Sequence, residues 1–227
     1  MRIIRFSLII ALVLAATGCA RSPEGKPEER RLLVTMQVRG VINPNYYYYV
    51  VIDNDDEPTT GPEAVVAGPG FVGEHATHFV HFGPLSGATY RLARFEANHI
   101  AYEWLGSPVY SVNPLDPGNP PNTLTFAIDL TSILTPTQTS VADIQTLEVN
   151  FITNDRPPPT DPNTTEPRQY DALGDGSSNT FVSFSAAPGP PITDTSEGLG
   201  SDGLEPEDDT ADPDLDIVDW SVQIQQL

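Results

Sequence analysis

The chain has 227 residues, 31 of them acidic and 11 basic, which gives a formal net charge of −20 at pH 7. Such a charge repels nucleic-acid phosphates and anionic lipid headgroups, so it excludes nucleic-acid binding by counterion release and membrane attachment through surface charge. The chain has a single cysteine, which excludes an internal disulfide and leaves the fold to depend on its apolar core.

Residues 1–18 predict a signal peptide. Arg2 and Arg5 give a basic start, and the stretch from Phe6 to Ala16 is apolar except for one serine. This stretch is too short to span a bilayer as a helix, which needs about 20 residues. We therefore expect the chain to be exported.

The segment from Leu14 to Cys19 (LAATGC) resembles the lipobox of bacterial lipoproteins. In that family the cysteine becomes the new N-terminus and carries acyl chains, so the resemblance implies lipidation of Cys19. The family usually has leucine three residues before the cysteine, where this chain has Ala16. The alternative is a simple secretory signal cut near Gly18 or Ala20.

Residues 19–31 predict a lipidated cysteine followed by a flexible tether, because they are polar and contain two prolines and alternating charges. The tether and its anchor would hold the domain in the cell envelope. Alanine follows Cys19 in place of the aspartate that signals inner-membrane retention in enteric sorting. We therefore expect the outer membrane, and otherwise the outer face of the plasma membrane.

Residues 32–227 predict one domain built from short strands. Apolar and polar residues alternate in several segments, and Tyr46–Asp53 (YYYYVVID) is apolar on both faces, as in a central strand. The nine strand candidates are 32–38, 46–53, 78–82, 90–95, 99–104, 123–130, 147–152, 180–185 and 218–225. We predict an all-β fold, a single antiparallel β-sandwich of about nine strands with long Pro, Gly and acidic loops.

Two other segments of this domain have distinct patterns. Thr139–Thr146 is the one candidate for a short helix. The loop 187–214 contains nine acidic residues and several prolines, a composition typical of disorder. We therefore predict that this acidic loop is partly disordered.

An acidic segment follows the predicted central strand. Five oxygen-bearing side chains follow one another there, namely Asp53, Asn54, Asp55, Asp56 and Glu57. Ca²⁺ binds 6–8 oxygen ligands in a flexible geometry, so the segment predicts a calcium site. The alternative interpretation is a solvated acidic turn that keeps the strand end soluble.

The same segment, Ile52 to Gly61 (IDNDDEPTTG), has the order hydrophobic strand, Asp-x-Asp, Pro and Thr-Gly. This order resembles a loop of secreted bacterial β-sandwich domains related to carbohydrate-binding modules, and the resemblance implies a site that binds sugar or calcium. The segment is not an EF-hand, because Pro58 and Ala64 stand where that motif has glycine and glutamate.

The four consecutive tyrosines of the predicted central strand place two rings on each of its faces. One pair, Tyr47 and Tyr49 or else Tyr46 and Tyr48, predicts an aromatic platform for a polysaccharide ligand. The alternative is that both pairs pack against other parts of the fold.

Three histidines, His75, His78 and His81, repeat every third residue. On a strand this spacing sends His78 and His81 to opposite faces, so a zinc site would need a turn at His75 and a further ligand such as His99. The alternative interpretation is that they are surface or edge-strand histidines.

Signals for a hydrolase are weak. The sequence from Gly83 to Gly87 (GPLSG) lacks the nucleophile-elbow pattern and predicts a turn between strands. Asp129 and Glu148 are expected on outward strand faces, with no second carboxylate spaced for glycoside hydrolysis. We therefore do not expect an enzyme.

The sequence as a whole predicts a membrane-anchored, exported lipoprotein. We expect it to act as a non-catalytic interaction module for a polysaccharide or protein partner, with Ca²⁺ as its candidate cofactor. Two alternatives stay open, a structural or assembly component of an envelope complex and a hydrolase that uses the histidine segment.

Overall fold

The computed structural model describes residues 29–57, 59–65, 69–73, 75–97, 99–161, 168–174, 180–195, 205–206 and 210–227. The predicted signal peptide, Cys19 and most of the predicted tether lie outside these residues. Within the described ranges, no helix has the length and apolar character needed to cross a membrane.

The described residues form twelve β-strands and three single turns of 3-10 helix. The strands are β1 Arg30–Val38, β2 Tyr47–Asp53, β3 His78–Gly83, β4 Thr89–Phe95, β5 Tyr102–Gly106, β6 Tyr110–Val112, β7 Thr123–Asp129, β8 Thr146–Asn154, β9 Tyr170–Ala172, β10 Val182–Ser185, β11 Ile192–Thr193 and β12 Ile217–Gln226. The 3-10 turns are Pro84–Ser86, Leu130–Ile133 and Val141–Asp143. The last of these is all that forms within the predicted helix 139–146.

The strands make two antiparallel sheets that pack against each other. Sheet A has five strands in the order β11-β12-β1-β7-β6, and sheet B has seven, in the order β10-β8-β2-β3-β4-β5 with β9 also paired to β8. The predicted all-β sandwich is thus confirmed, with twelve strands in the described part of the chain rather than about nine. The additional strands β6, β9 and β11 have only two or three residues each, too few for an alternating pattern to be recognised.

The main core lies between the two sheets. Alternate residues of β1, from Leu32 to Val38, face sheet B and are fully buried, as the alternation predicts. Trp220 on β12 packs against Phe151 on β8, with ring centroids 5.6 Å apart. Each such buried apolar side chain contributes about 1.5–3 kcal/mol to folding.

A second, smaller core covers the other side of sheet B, which we call its outer face. Residues 61–65 and 69–73, which we call the covering segment, fold back over this face, and Ala64, Phe71 and Val72 are buried against the sheet. Phe71 stacks on Tyr49 with ring centroids 4.0 Å apart. Strand β2, between β3 and β8, is therefore buried on both faces, as predicted for a central strand.

The described part of the acidic loop is packed against the sandwich. Asp194 Oδ1 accepts hydrogen bonds from the Trp220 indole nitrogen at 3.0 Å and from the Glu205 backbone amide at 3.0 Å. The remaining segments 196–204 and 207–209 lie outside the described residues. Partial disorder of this loop therefore stays a prediction.

Candidate functional site

The strand register brings aromatic residues together on the outer face of sheet B. Tyr49 lies opposite His81 of β3, which in turn lies opposite Arg91 of β4. One step along the strands, Phe79 and Trp104 share the same face, because both are in register with Ala93. Side chains directly opposite in neighbouring strands contact each other, so this face becomes a continuous aromatic layer.

Phe79 is the centre of this layer. Its ring centroid lies 4.9 Å from Phe95, 5.1 Å from Tyr102 and 5.9 Å from Trp104. Aromatic pairs at centroid distances of roughly 4.5–7 Å attract one another beyond the effect of burial alone. The layer is therefore a rigid base rather than a set of independent side chains.

Three rings at the margin of the layer are only partly buried, namely Tyr47, Tyr102 and Trp104. We call these three residues the aromatic surface. Tyr102 and Trp104 belong to the edge strand β5, with ring centroids 5.1 Å apart. His81 links the two parts of the surface, because its ring centroid lies 6.0 Å from that of Tyr47 and 6.4 Å from that of Trp104.

Arg91 lies over the aromatic surface. The carbon at the centre of its guanidinium is 4.3 Å from the Trp104 ring centroid, a cation–π distance. Its side chain is partly exposed and forms no ion pair with any described residue. Four other arginines of the described chain each have a carboxylate partner, namely Arg31, Arg39, Arg94 and Arg156.

Two polar atoms beneath the aromatic surface are buried without a hydrogen-bond partner in the described structure, Tyr49 Oη and His81 Nε2. The other ring nitrogen of His81 lies 2.9 Å from the Ser86 hydroxyl. Burial lowers the pKa of His81 to about 3 and raises that of Tyr49, so both groups are neutral near pH 7. Buried polar atoms are usually paired, and each unpaired one costs about 1–3 kcal/mol.

The predicted platform of Tyr47 and Tyr49 needs a correction at one residue. Both rings lie on the outer face, but Tyr49 is fully buried under Phe71 and offers no ring to a ligand. Tyr47 is partly exposed and belongs to the aromatic surface. Tyr102 and Trp104 were not among the residues predicted for this site, although their spacing of two within a predicted strand indicates that they share a face.

The histidines also differ from their predicted environment. His78 and His81 point to opposite faces, as predicted. Both are buried, because β3 lies between β2 and β4 in sheet B and not at a surface or edge. The pKa of His78 is lowered to about 3, first by burial and then by the charge of Arg94. His75 lies exposed before β3. A zinc site at these histidines is therefore not assembled in the described structure.

The five predicted calcium ligands do not point to one centre. The buried Asn54 side chain accepts a hydrogen bond from the Thr77 hydroxyl at 2.7 Å. Asp56 Oδ1 accepts hydrogen bonds from two backbone amides at the start of β8, at 2.9 and 3.0 Å. Glu57 accepts one from the Thr59 hydroxyl at 2.7 Å. These three side chains therefore use their oxygens to hold neighbouring parts of the chain in place.

The remaining two residues lie near a carboxylate from another strand. Asp53 is directly opposite Glu148 on β8. Glu148 lies on the face of β8 that points away from the main core, as expected, but it is fully buried there, and so is Asp53. One oxygen of each is paired: Asp53 Oδ1 accepts from the Asp55 backbone amide, and Glu148 Oε1 from the Ser183 hydroxyl at 2.9 Å. Asp53 Oδ2 and Glu148 Oε2 have no partner in the described structure.

The pKa values of this pair are both raised. Burial, followed by the negative charges of Asp55 and Glu148, raises the pKa of Asp53 to about 7. Burial is also the main cause for Glu148, and the charges of Asp55 and Asp56 add to it. The pair therefore favours the binding of a proton or another cation over full ionisation.

Among the described residues, no group of three or more His, Cys, Asp or Glu side chains is arranged to hold a metal ion. A calcium ion at the Asp53–Glu148 pair would take one oxygen from each carboxylate. Hydroxyl, backbone and water oxygens would have to complete its shell, and Ca²⁺ accepts all of these. Calcium binding therefore stays a prediction, with Glu148 added to its candidate ligands.

Comparison of the chain with models of protein families, with curated proteins and with solved structures finds no match.

Proposed function

We propose that the protein is an exported, lipid-anchored, non-catalytic module that binds a polysaccharide through the aromatic surface. The observation that carries this proposal is the group of Tyr47, Tyr102 and Trp104, three partly exposed rings on one face of a rigid sheet. Sugar rings combine apolar C–H faces with hydroxyl groups, so they suit a site that combines aromatic rings with a few polar groups.

The polar groups near these rings support the same ligand class. His81 lies between Tyr47 and Trp104, and the unpaired Tyr49 hydroxyl lies beside it, with the two ring centroids 4.8 Å apart. Both are neutral groups with hydrogen-bonding capacity left over. Small adjustments of the rings above them would let them exchange hydrogen bonds with sugar hydroxyls.

The location of the module comes from the predicted N-terminal segments. The signal peptide 1–18, lipidation at Cys19 and the tether 19–31 would hold the sandwich at an envelope membrane, the outer membrane where the cell has one. We propose Ca²⁺ as a structural cofactor at Asp53 and Glu148. The pair lies on the outer face of β2 and β8, where the chain leaves β2 to cover that face, so a bound cation would stabilise the covering segment.

The test is a binding measurement with the full chain in detergent micelles, by calorimetric titration against a panel of soluble polysaccharides. Replacing Trp104 with alanine should lower the affinity for a binding polysaccharide at least tenfold. Tyr110→Ala is the matched control, because Tyr110 is an aromatic residue of sheet A that is 51% exposed. Its substitution should leave the affinity unchanged.

Two results would contradict the proposal. One is that no polysaccharide of the panel binds, and the other is that Trp104→Ala and Tyr110→Ala have the same effect. If the protein instead co-purifies with one fixed envelope protein, the alternative of an assembly component becomes the better interpretation.

A further inference from the structure

We infer that the polysaccharide is acidic and that Arg91 binds its anionic groups. This inference rests on the proposed function and deepens it, because it names the chemical class of the ligand at the aromatic surface. It starts from an imbalance of charge. The chain has 31 acidic and 11 basic residues, yet the arginine on the aromatic surface forms no ion pair with any described residue.

Arg91 differs from the other arginines of the described structure. Arg30 and Arg168 donate hydrogen bonds to backbone carbonyls, whereas the Arg91 side chain has neither such a bond nor an ion pair with a described residue. In a chain with this excess of acid, a partly exposed guanidinium readily meets a carboxylate, and four arginines of the described structure do so. Arg94 shows the contrast most closely, because it lies on the same strand as Arg91 but on its other face, where it pairs with Glu103. The outer face presents no such partner to Arg91 within the described chain, so its charge is available to a ligand.

The stacking on Trp104 prepares Arg91 for this role. The guanidinium carbon lies 4.3 Å from the Trp104 ring centroid, so the ring holds the long side chain in place. The planar guanidinium has five N–H donors, enough to form two parallel hydrogen bonds to one anionic group beside this contact. Carboxylate and sulfate groups both accept such a bidentate contact.

The net charge of the protein does not oppose this contact. Exposed charges are screened beyond about 8 Å at physiological ionic strength, so acids elsewhere on the sandwich act weakly at this face. A second arginine also lies on the outer face. Arg168 donates a hydrogen bond to the Gly70 carbonyl at 2.9 Å, and its positive charge acts on Tyr49. Arg168 therefore adds a second positive charge to the face that carries Arg91.

Two kinds of acidic polysaccharide carry such anionic groups, those with uronic-acid carboxylates and those with sulfate esters. The experiment distinguishes between them. The full chain in detergent micelles is titrated with polygalacturonate, alginate, hyaluronan and dextran sulfate. Each uronate polymer is compared with its methyl ester, which keeps the backbone and removes the charge. We expect at least one acidic polymer to bind ten or more times tighter than its uncharged form, with dextran serving as the uncharged form of dextran sulfate.

Two variants assign this preference to Arg91. Arg91→Gln should make the charged and uncharged polymers bind equally, and Arg91→Lys should keep part of the preference, because lysine has the charge without the planar fork. Arg31→Gln is the control, since Arg31 is partly exposed and pairs with Asp129 on sheet A. That variant should keep the full preference.

The outcomes separate this inference from the proposed function. If charged and uncharged polymers bind wild type equally and Trp104→Ala abolishes both, the aromatic surface binds polysaccharide and the role of Arg91 is disproved. An unchanged preference in Arg91→Gln would disprove it as well. If no polymer of either kind binds, both the inference and the proposed function fail.

Discussion

Asp53 and Glu148 lie directly opposite each other on neighbouring strands, and both carboxyl groups are completely buried. Burial removes the hydration of the Asp53 carboxylate, and the negative charges of Asp55 and then Glu148 add to this effect, so the pKa of Asp53 rises from 3.8 to about 7. We expect this pair to make the stability of the fold depend on pH and, through the proposed calcium site, on cations.

The first prediction concerns pH. Because the pKa of Asp53 is higher in the folded state than in the unfolded chain, the folded state binds this proton more tightly. The stabilisation is fully present below pH 4 and is lost as the pH rises towards 7. We expect a loss on the order of 2 kcal/mol across this window, after allowance for solvent screening.

Urea unfolding of wild type and Asp53→Asn between pH 4 and pH 8 checks this prediction. The variant should have the flatter profile and should be the more stable protein at pH 8. Asp219→Asn is the control, because Asp219 is an exposed aspartate on β12. If wild type and Asp53→Asn lose the same stability over this range, the pair does not govern the pH dependence.

The second prediction concerns calcium. Thermal unfolding is compared in millimolar Ca²⁺, in EDTA and in NaCl of matched ionic strength. Calcium should raise stability by about 2.7 kcal/mol at 100 times its dissociation constant. Glu148→Gln should remove this response. An equal response to NaCl would mean that the acids are screened rather than coordinated, and the calcium proposal would be abandoned.

The third prediction is that Asn54 stabilises the fold without binding calcium. Its buried amide donates a hydrogen bond to the Ile133 carbonyl at 2.7 Å, besides accepting one from Thr77. Asn54→Ala should therefore destabilise the fold by about 1–3 kcal/mol, equally with Ca²⁺ and with EDTA. The matched change Asp55→Ala, at an exposed position, should cost much less in EDTA. A cost for Asn54→Ala that appears only with Ca²⁺ would make Asn54 a metal ligand.

The fourth prediction concerns the covering segment, residues 61–65 and 69–73, on the outer face of sheet B. Phe71 anchors it by stacking on Tyr49, so Phe71→Ala should cost about 3–5 kcal/mol. The rate of amide hydrogen exchange should then increase more in the covering segment than in β1 and β12. Uniformly unchanged exchange would show that Phe71 does not hold the segment on the sheet.

Strands with a clear alternation of apolar and polar residues could be predicted from the sequence. Leu32 to Val38 predicted a half-buried strand, and the run from Tyr46 to Asp53 predicted a central one, because alternation depends only on the two faces of a sheet. The sandwich followed from many such strands between turns. A strand of two residues, such as β11, is too short to show an alternating pattern.

The candidate site depended on information that local patterns do not contain. Alternation placed Tyr47 and Tyr49 on one face, but only the fold shows that the covering segment returns to bury Tyr49 and leaves Tyr47 partly exposed. In the same way, the pairing of Asp53 with Glu148 depends on the register between β2 and β8, which are far apart in the chain. Which residues contact one another therefore depends on the pairing of strands that are distant in the chain and on which segment covers the sheet.

The most direct test of the aromatic surface uses the two tryptophans of the chain. Trp104 is partly exposed, whereas Trp220 is 1% exposed in the main core, so a ligand at the surface should change the fluorescence of Trp104 alone. Adding a polysaccharide that binds should shift the emission of wild type to shorter wavelength and reduce its quenching by acrylamide. Trp104→Phe should show neither change. A polysaccharide that binds without altering wild-type fluorescence, or that alters both proteins alike, would contradict the proposed binding surface.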